Sequence, residues 1–142
     1  NPTGGEMRGC DPKGCGYYGA SRHRDWGQGP HLGIDLMSIP GQSVFAPFQG
    51  IVYDHPSPPF KYQGVVVVGN GYTAGMYYIT ATDRIRNAES RGLTVNAGEI
   101  IGTANDITGK YSGITNHVHF QLQQSGNSFF INPTPFIFPG RR

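Results

Sequence analysis

Two histidines stand two apart in ITNHVHFQL, residues 114–122. A period of two places His117, His119, Gln121 and Gln123 on one face of a strand and Val118, Phe120 and Leu122 on the other, whereas on a helix the two imidazoles would diverge. The pattern predicts a strand over His117 to Gln123 with both rings converging on one point. A second pair, His31 and Asp35 in GPHLGIDL, sits among Pro30, Gly33 and β-branched Ile34, residues that disfavour a helix. In an extended segment, positions i and i+4 share a face.

Two imidazoles and one carboxylate suffice for a catalytic-type zinc, which keeps three protein ligands and leaves the fourth position to water or substrate. A further histidine then remains for acid–base work. Each pair alone says little: a lone His-x-His is more often a packed strand pair, and His-x-x-x-Asp recurs by chance. Their weight comes from their combination.

The elements that must position these residues read as all-β. With 142 residues the chain is one domain, long enough to bury a core. It carries 22 Gly and 11 Pro with only 14% charged residues, and nowhere holds a sustained helical period of apolar residues. Strands are predicted at Ser43 to Ala46, Gly50 to Tyr53, Val65 to Val68, Tyr72 to Ile79, Glu99 to Thr103 and His117 to Gln123. In VVVVGNGYTAGMYYI, Asn70-Gly71 supplies the residues of a type I′ hairpin turn. Residues 81–92 are polar enough for a surface loop or a short helix, and Val65 to Val68 reads as a buried central strand. No internal repeat or low-complexity linker divides the chain.

Cys10 and Cys15 flank Asp11-Pro12-Lys13-Gly14, a turn-forming sequence compatible with a small disulfide-closed loop. The alternative is a pair of free or metal-binding thiols, but no second cysteine pair completes a four-thiolate site. A disulfide fits a secreted protein, and the chain opens without Met or a charged-then-apolar leader. The net charge of +2 and scattered Lys and Arg argue against nucleic acid. No apolar run approaches the roughly 20 residues of a membrane span, so no membrane insertion is expected. Tyr17, Tyr18, Trp26 and Tyr111 could line a groove or simply pack, and SFFINPTPFIFPG is expected to bury itself against the sheet through residue 137.

PHLGIDL, SVFAPFQGIV, GNGYTAGMYYI, VNAGEIIGTA, NHVHFQL and INPTPFI follow one another in the order and spacing of the lysostaphin-type (LytM-like) zinc metallopeptidase domain. The resemblance covers about residues 30–137, and RGCDPKGCGYYGASR before it is similar to the secreted, chemotaxin-type branch of the fold. It implies an antiparallel, barrel-like β-sandwich with extended loops (the duplicated hybrid motif), here residues 30–142 preceded by an N-terminal extension, residues 1–29, carrying the Cys10–Cys15 loop. It implies Zn²⁺ held by His31, Asp35 and His119. His117 would stay off the metal and serve catalysis by holding the water or the developing oxyanion.

A second catalytic histidine of the family stands in a Leu-Tyr-Ala-His-Leu stretch, which here is Met76-Tyr77-Tyr78-Ile79-Thr80, so Ile79 falls on it. Replacement would have to come from adjacent Tyr78 or from His55 or His23, the last two reading as solvent-exposed loop residues. A disulfide of the chemotaxin-type branch falls on Thr73 and Gln123 and is absent from both ends. Three functions follow. One is a secreted, zinc-binding, catalytically silent domain that binds an extracellular protein receptor or a glycan. Another is an active zinc endopeptidase cutting Gly-rich peptide bridges, and the third is a self-associating structural subunit.

Overall fold

The computed structural model of the chain describes residues 1–24, 27–55, 63–109 and 112–141. In chain order these form β1 (Cys10–Asp11), β2 (Gly14–Cys15), β3 (Ser21–Arg24), β4 (Gly27–Pro30), β5 (Ile34–Met37), β6 (Ser43–Phe45), β7 (Gly50–Asp54), β8 (Gly64–Gly69), β9 (Tyr72–Tyr77) and β10 (Ile79–Ala81). There follow helix α1 (Asp83–Ala88) with a 3₁₀ turn at Glu89–Arg91, then β11 (Leu93–Val95), β12 (Ile100–Ala104), β13 (His117–Gln124), β14 (Phe130–Ile131) and helix α2 (Thr134–Ile137). Among the described residues no helix is long and apolar enough to cross a membrane.

The larger antiparallel sheet runs β11-β7-β8-β9-β13-β14, with β5 pairing the first half of β13 beside β14. A smaller sheet runs β10-β12-β6. Period-two alternation turns Val52, Val65, Val67, Ala74, Met76, Val118, Phe120 and Leu122 of the larger sheet into one core with Val44, Ile79, Ala81 and Ile101 of the smaller. Ile85 of α1 joins that core, so the polar 81–92 segment contains a short helix that buries one of its residues. The alternation also exposes Val68, so the Val65 to Val68 run is central in the sheet yet buried at alternate positions only.

Asn70 and Gly71 both adopt positive φ, 52° and 80°, as a type I′ turn between β8 and β9 requires. The predicted strand from Tyr72 to Ile79 is two strands, not one. Tyr78 has φ 69°, and there the chain leaves the larger sheet and enters the smaller. A non-glycine residue in the left-handed region is held by its surroundings. Here Tyr78 N–H donates to the Gln63 carbonyl at 2.9 Å, and its own carbonyl accepts from Asn105 N–H at 2.9 Å.

The N-terminal segment lies along the far edge of β5. Met37 N–H donates to the Glu6 carbonyl at 2.8 Å, Arg8 N–H to the Asp35 carbonyl at 2.7 Å, and Asp35 N–H to the Gly16 carbonyl at 2.8 Å. Cys10 and Cys15 are bonded to one another, which excludes the free-thiol alternative. Ile137 is buried as expected of the tail, whereas Phe129 and Phe136 are exposed. Trp26 and Tyr111, and the side chain of His23, lie outside what the structure describes.

Candidate metal centre

The sheet register brings the site together. His119 of β13 stands opposite Asp35 of β5 on one side and Tyr77 of β9 on the other. His31 reaches the same point from the turn before β5, where Gly33 lets the chain pass. A Cβ on Gly33 would lie 2.3 Å from the Phe120 carbonyl oxygen and 3.0 Å from the His119 ring, so only glycine fits.

His31 Nε2, His119 Nδ1 and Asp35 Oδ1 then form a compact triangle, 2.9 Å between the two imidazole nitrogens and 3.2 Å from each to the carboxylate oxygen. Tetrahedral zinc with bonds of about 2.0 Å spaces its ligands about 3.3 Å apart. Neighbours set the tautomers: His31 Nδ1–H donates to the Tyr17 carbonyl at 3.0 Å, and His119 Nε2–H to Gln121 Oε1 at 3.0 Å. Each ring therefore aims a lone pair, not a proton, into the triangle, and the carboxylate adds another. Three facing lone pairs, two of them on buried groups and the third on half-buried His119, call for a cation, so the residues present fit a zinc ion, and they form a group able to hold a metal.

His117 sits apart from this triangle. Its Nδ1–H donates to the Thr115 carbonyl at 2.7 Å, and its Nε2 lies 3.5 Å from Asp35 Oδ2. Burial pushes the His117 imidazole below its usual range, partly opposed by Asp35. Burial alone would push the Asp35 carboxyl up, but the imidazoles facing it, His119 and His31 first and then His117, hold it well below the usual carboxylate range.

Ile79 is buried in the core, away from solvent, while Tyr78 packs edge-on against His117 with centroids 5.4 Å apart. Strict alternation along an unbroken strand would send Tyr78 to the other face. The positive φ at Tyr78 resets it, so the tyrosine, not Ile79, is the neighbour of the histidine. His55 is half-buried, not an exposed loop residue, and its ring packs on Tyr77, whose other neighbour is His119. Tyr18 donates to the Phe130 carbonyl at 3.2 Å, and Tyr17 is exposed.

Residues 29–133 match the model of peptidase family M23. The chain belongs to that family. It is 32% identical over 137 residues to leukocyte cell-derived chemotaxin-2 of Bos taurus, spanning 93% of this chain and 80% of the relative. Its fold is that of the M23 structures LytU (TM-score 0.63, 22% identity, 88% of this chain and 83% of that one) and the catalytic domain of the antimicrobial peptidase lysostaphin from Staphylococcus simulans (TM-score 0.63, 21% identity, 86% and 88%).

The sequence reading missed the support behind Asp35. Arg8 is buried and donates from Nη1 to Asp35 Oδ2 at 2.8 Å. Its Nε and Nη2 grip Asp11 Oδ2 and Oδ1 at 2.9 and 2.6 Å. Hydrogen bonds from Arg8 hold the Asp11 carboxyl far below its usual range. The only signal in the sequence was an arginine and an aspartate within RGCD, at the edge of the cysteine loop.

Proposed function

We propose that this M23 domain is a secreted, zinc-binding and catalytically silent member of the family that acts by binding an extracellular protein receptor or glycan. The observation that carries the reading is a division within the site: the metal-holding triangle is complete, while the partner of His117 is a tyrosine and Ile79 is buried in the core. His31, Asp35 and His119 would hold Zn²⁺, which when bound supplies Lewis-acid polarisation.

Peptide hydrolysis needs in addition a group to accept a proton and one to stabilise the oxyanion, and such general acid–base help is worth about 10²–10⁴-fold. Among the described residues, His117 is the imidazole that stands beside the triangle without belonging to it. Tyr78, a weak acid at neutral pH, is a poor proton acceptor in its neutral form. The disulfide of the N-terminal loop and the likeness to chemotaxin-2 support an extracellular setting. Zinc in such a domain would stabilise the fold and shape the surface around it.

The test is hydrolysis of a fluorogenic Gly-rich peptide by protein whose zinc content is assayed in the same sample, with a chelated control. About one zinc per chain without turnover is the expected outcome. Chelator-sensitive turnover would make the protein a peptidase and overturn the silent reading.

A further inference from the structure

We propose that Arg8 and Asp11, carried at the Cys10–Cys15 loop, are positioning residues of the metal centre, holding Asp35 so that a single carboxylate oxygen is offered to the cation. The inference rests on reading His31, Asp35 and His119 as a zinc site. The two oxygens of Asp35 have separate partners: Oδ1 lies 3.2 Å from both His31 Nε2 and His119 Nδ1, while Oδ2 accepts from Arg8 Nη1 at 2.8 Å. A guanidinium on Oδ2 blocks bidentate ligation and fixes the rotation of the carboxylate.

Arg8 itself has little freedom. It is 3% exposed, and its Nε–Nη2 edge is engaged by both oxygens of Asp11, a paired geometry that an ammonium cannot reproduce. Asp11 is anchored in turn by the backbone N–H of Lys13 and of Thr115, each at 2.8 Å. The latter lies two residues before His117 on the approach to β13. Asp11 belongs to β1, whose pairing with β2 sets Cys10 opposite Cys15 and Asp11 opposite Gly14, so the disulfide closes the short hairpin that carries it. The backbone bonds of Arg8 and Gly16 to Asp35 bracket the ligand from both ends of the loop. A Cβ on Gly16 would stand 2.6 Å from Arg8 Cβ and 3.1 Å from Asp35 Cβ. Arg8, Asp11, Gly16 and the Cys10–Cys15 hairpin precede the family match at residues 29–133. The metal centre is therefore completed by a segment outside it.

The full chain and its Arg8→Lys, Asp11→Asn and Cys10→Ser/Cys15→Ser variants would be titrated with Zn²⁺ against a chromophoric chelator and with Co²⁺ followed by visible absorption. Titrations would run well below the unfolding midpoint of each metal-free protein. Arg8→Lys, which keeps the charge and loses the fork, is expected to weaken both metals about 10- to 100-fold. It should also weaken the Co²⁺ bands as the second carboxylate oxygen enters coordination. Asp11→Asn and the double serine variant should shift both readouts in the same direction and by less. A role in folding alone would lower the midpoint of the metal-free variants and leave the Co²⁺ bands of the folded protein unchanged, which overturns the proposal. So do wild-type affinity and spectrum in both Arg8→Lys and Asp11→Asn, and if Arg8→Lys does not fold, Asp11→Asn decides. Wild-type protein that takes neither metal overturns the zinc-site reading as well.

Discussion

At the residue scale, His117 and His119 are two positions apart on one strand and differ in what their neighbours ask of them. Gln121 takes the Nε2–H of His119, which leaves Nδ1 for the triangle, while the Thr115 carbonyl takes the Nδ1–H of His117, and His117 Nε2 stands off at 3.5 Å from the outer oxygen of Asp35. The division of labour predicts that His119→Ala abolishes zinc retention through gel filtration, while His117→Ala elutes with zinc still bound. Zinc that binds only the folded state at a hundred times its Kd stabilises by about 2.7 kcal/mol. Wild type and His117→Ala should therefore melt higher with zinc than after chelation, and His119→Ala should not respond. Equal zinc loss from both variants would refute the assignment of ligands.

At the element scale, the β1–β2 hairpin docks through charge. The Asp11 carboxyl is held far below its usual range by Arg8, so its contribution to stability is present above the unfolded carboxylate pKa, about 4, and is lost as pH falls below that. In metal-free protein, Asp11→Asn should lower the stability measured in urea by about 1–3 kcal/mol at pH 7. The gap from wild type should hold above about pH 4 and narrow progressively as pH falls from 4 toward 2, and a gap that stays constant with pH would show that the pair does not act through its charge. This docking was illegible in the sequence because nothing local links Arg8 to Asp35 across 27 positions. What was legible depended on periods: HVHFQL, the Asn70-Gly71 turn and the valine strand each follow from side-chain alternation or from the need for positive φ. The period failed at Tyr78, where the chain changes sheets through a left-handed residue, a conformation that tyrosine gives no sign of adopting. His31 and Asp35 were found from their types and spacing, while Gly33, which lets them meet His119, is explained only by the Phe120 carbonyl pressed against it.

At the scale of the whole molecule, the fold is a sandwich tied by pairings distant in sequence, and its covalent tie, Cys10–Cys15, spans only 5 positions at one end. The positions that resemblance marked for a missing disulfide, Thr73 and Gln123, are direct partners on β9 and β13, two strands that flank the metal centre at their other ends. Neither residue is buried in the core, and Gln123 makes one side-chain bond to the Ser128 carbonyl at 3.1 Å, so replacing both gives up little. Closing a loop of about 50 residues restricts the unfolded chain, and in the chain-entropy model this is worth about 4 kcal/mol, with 2–4 typical of measured bridges. The Thr73→Cys/Gln123→Cys variant should thus unfold at a higher urea concentration when oxidised than when reduced, with a slope equal or shallower because the bridged unfolded chain exposes less surface, while its zinc affinity stays that of the wild type. Stabilisation accompanied by a changed zinc affinity would mean that the β9–β13 pairing is strained at the metal centre, and no stabilisation would mean that the register at the far end of these strands is looser than the ladder of bonds implies.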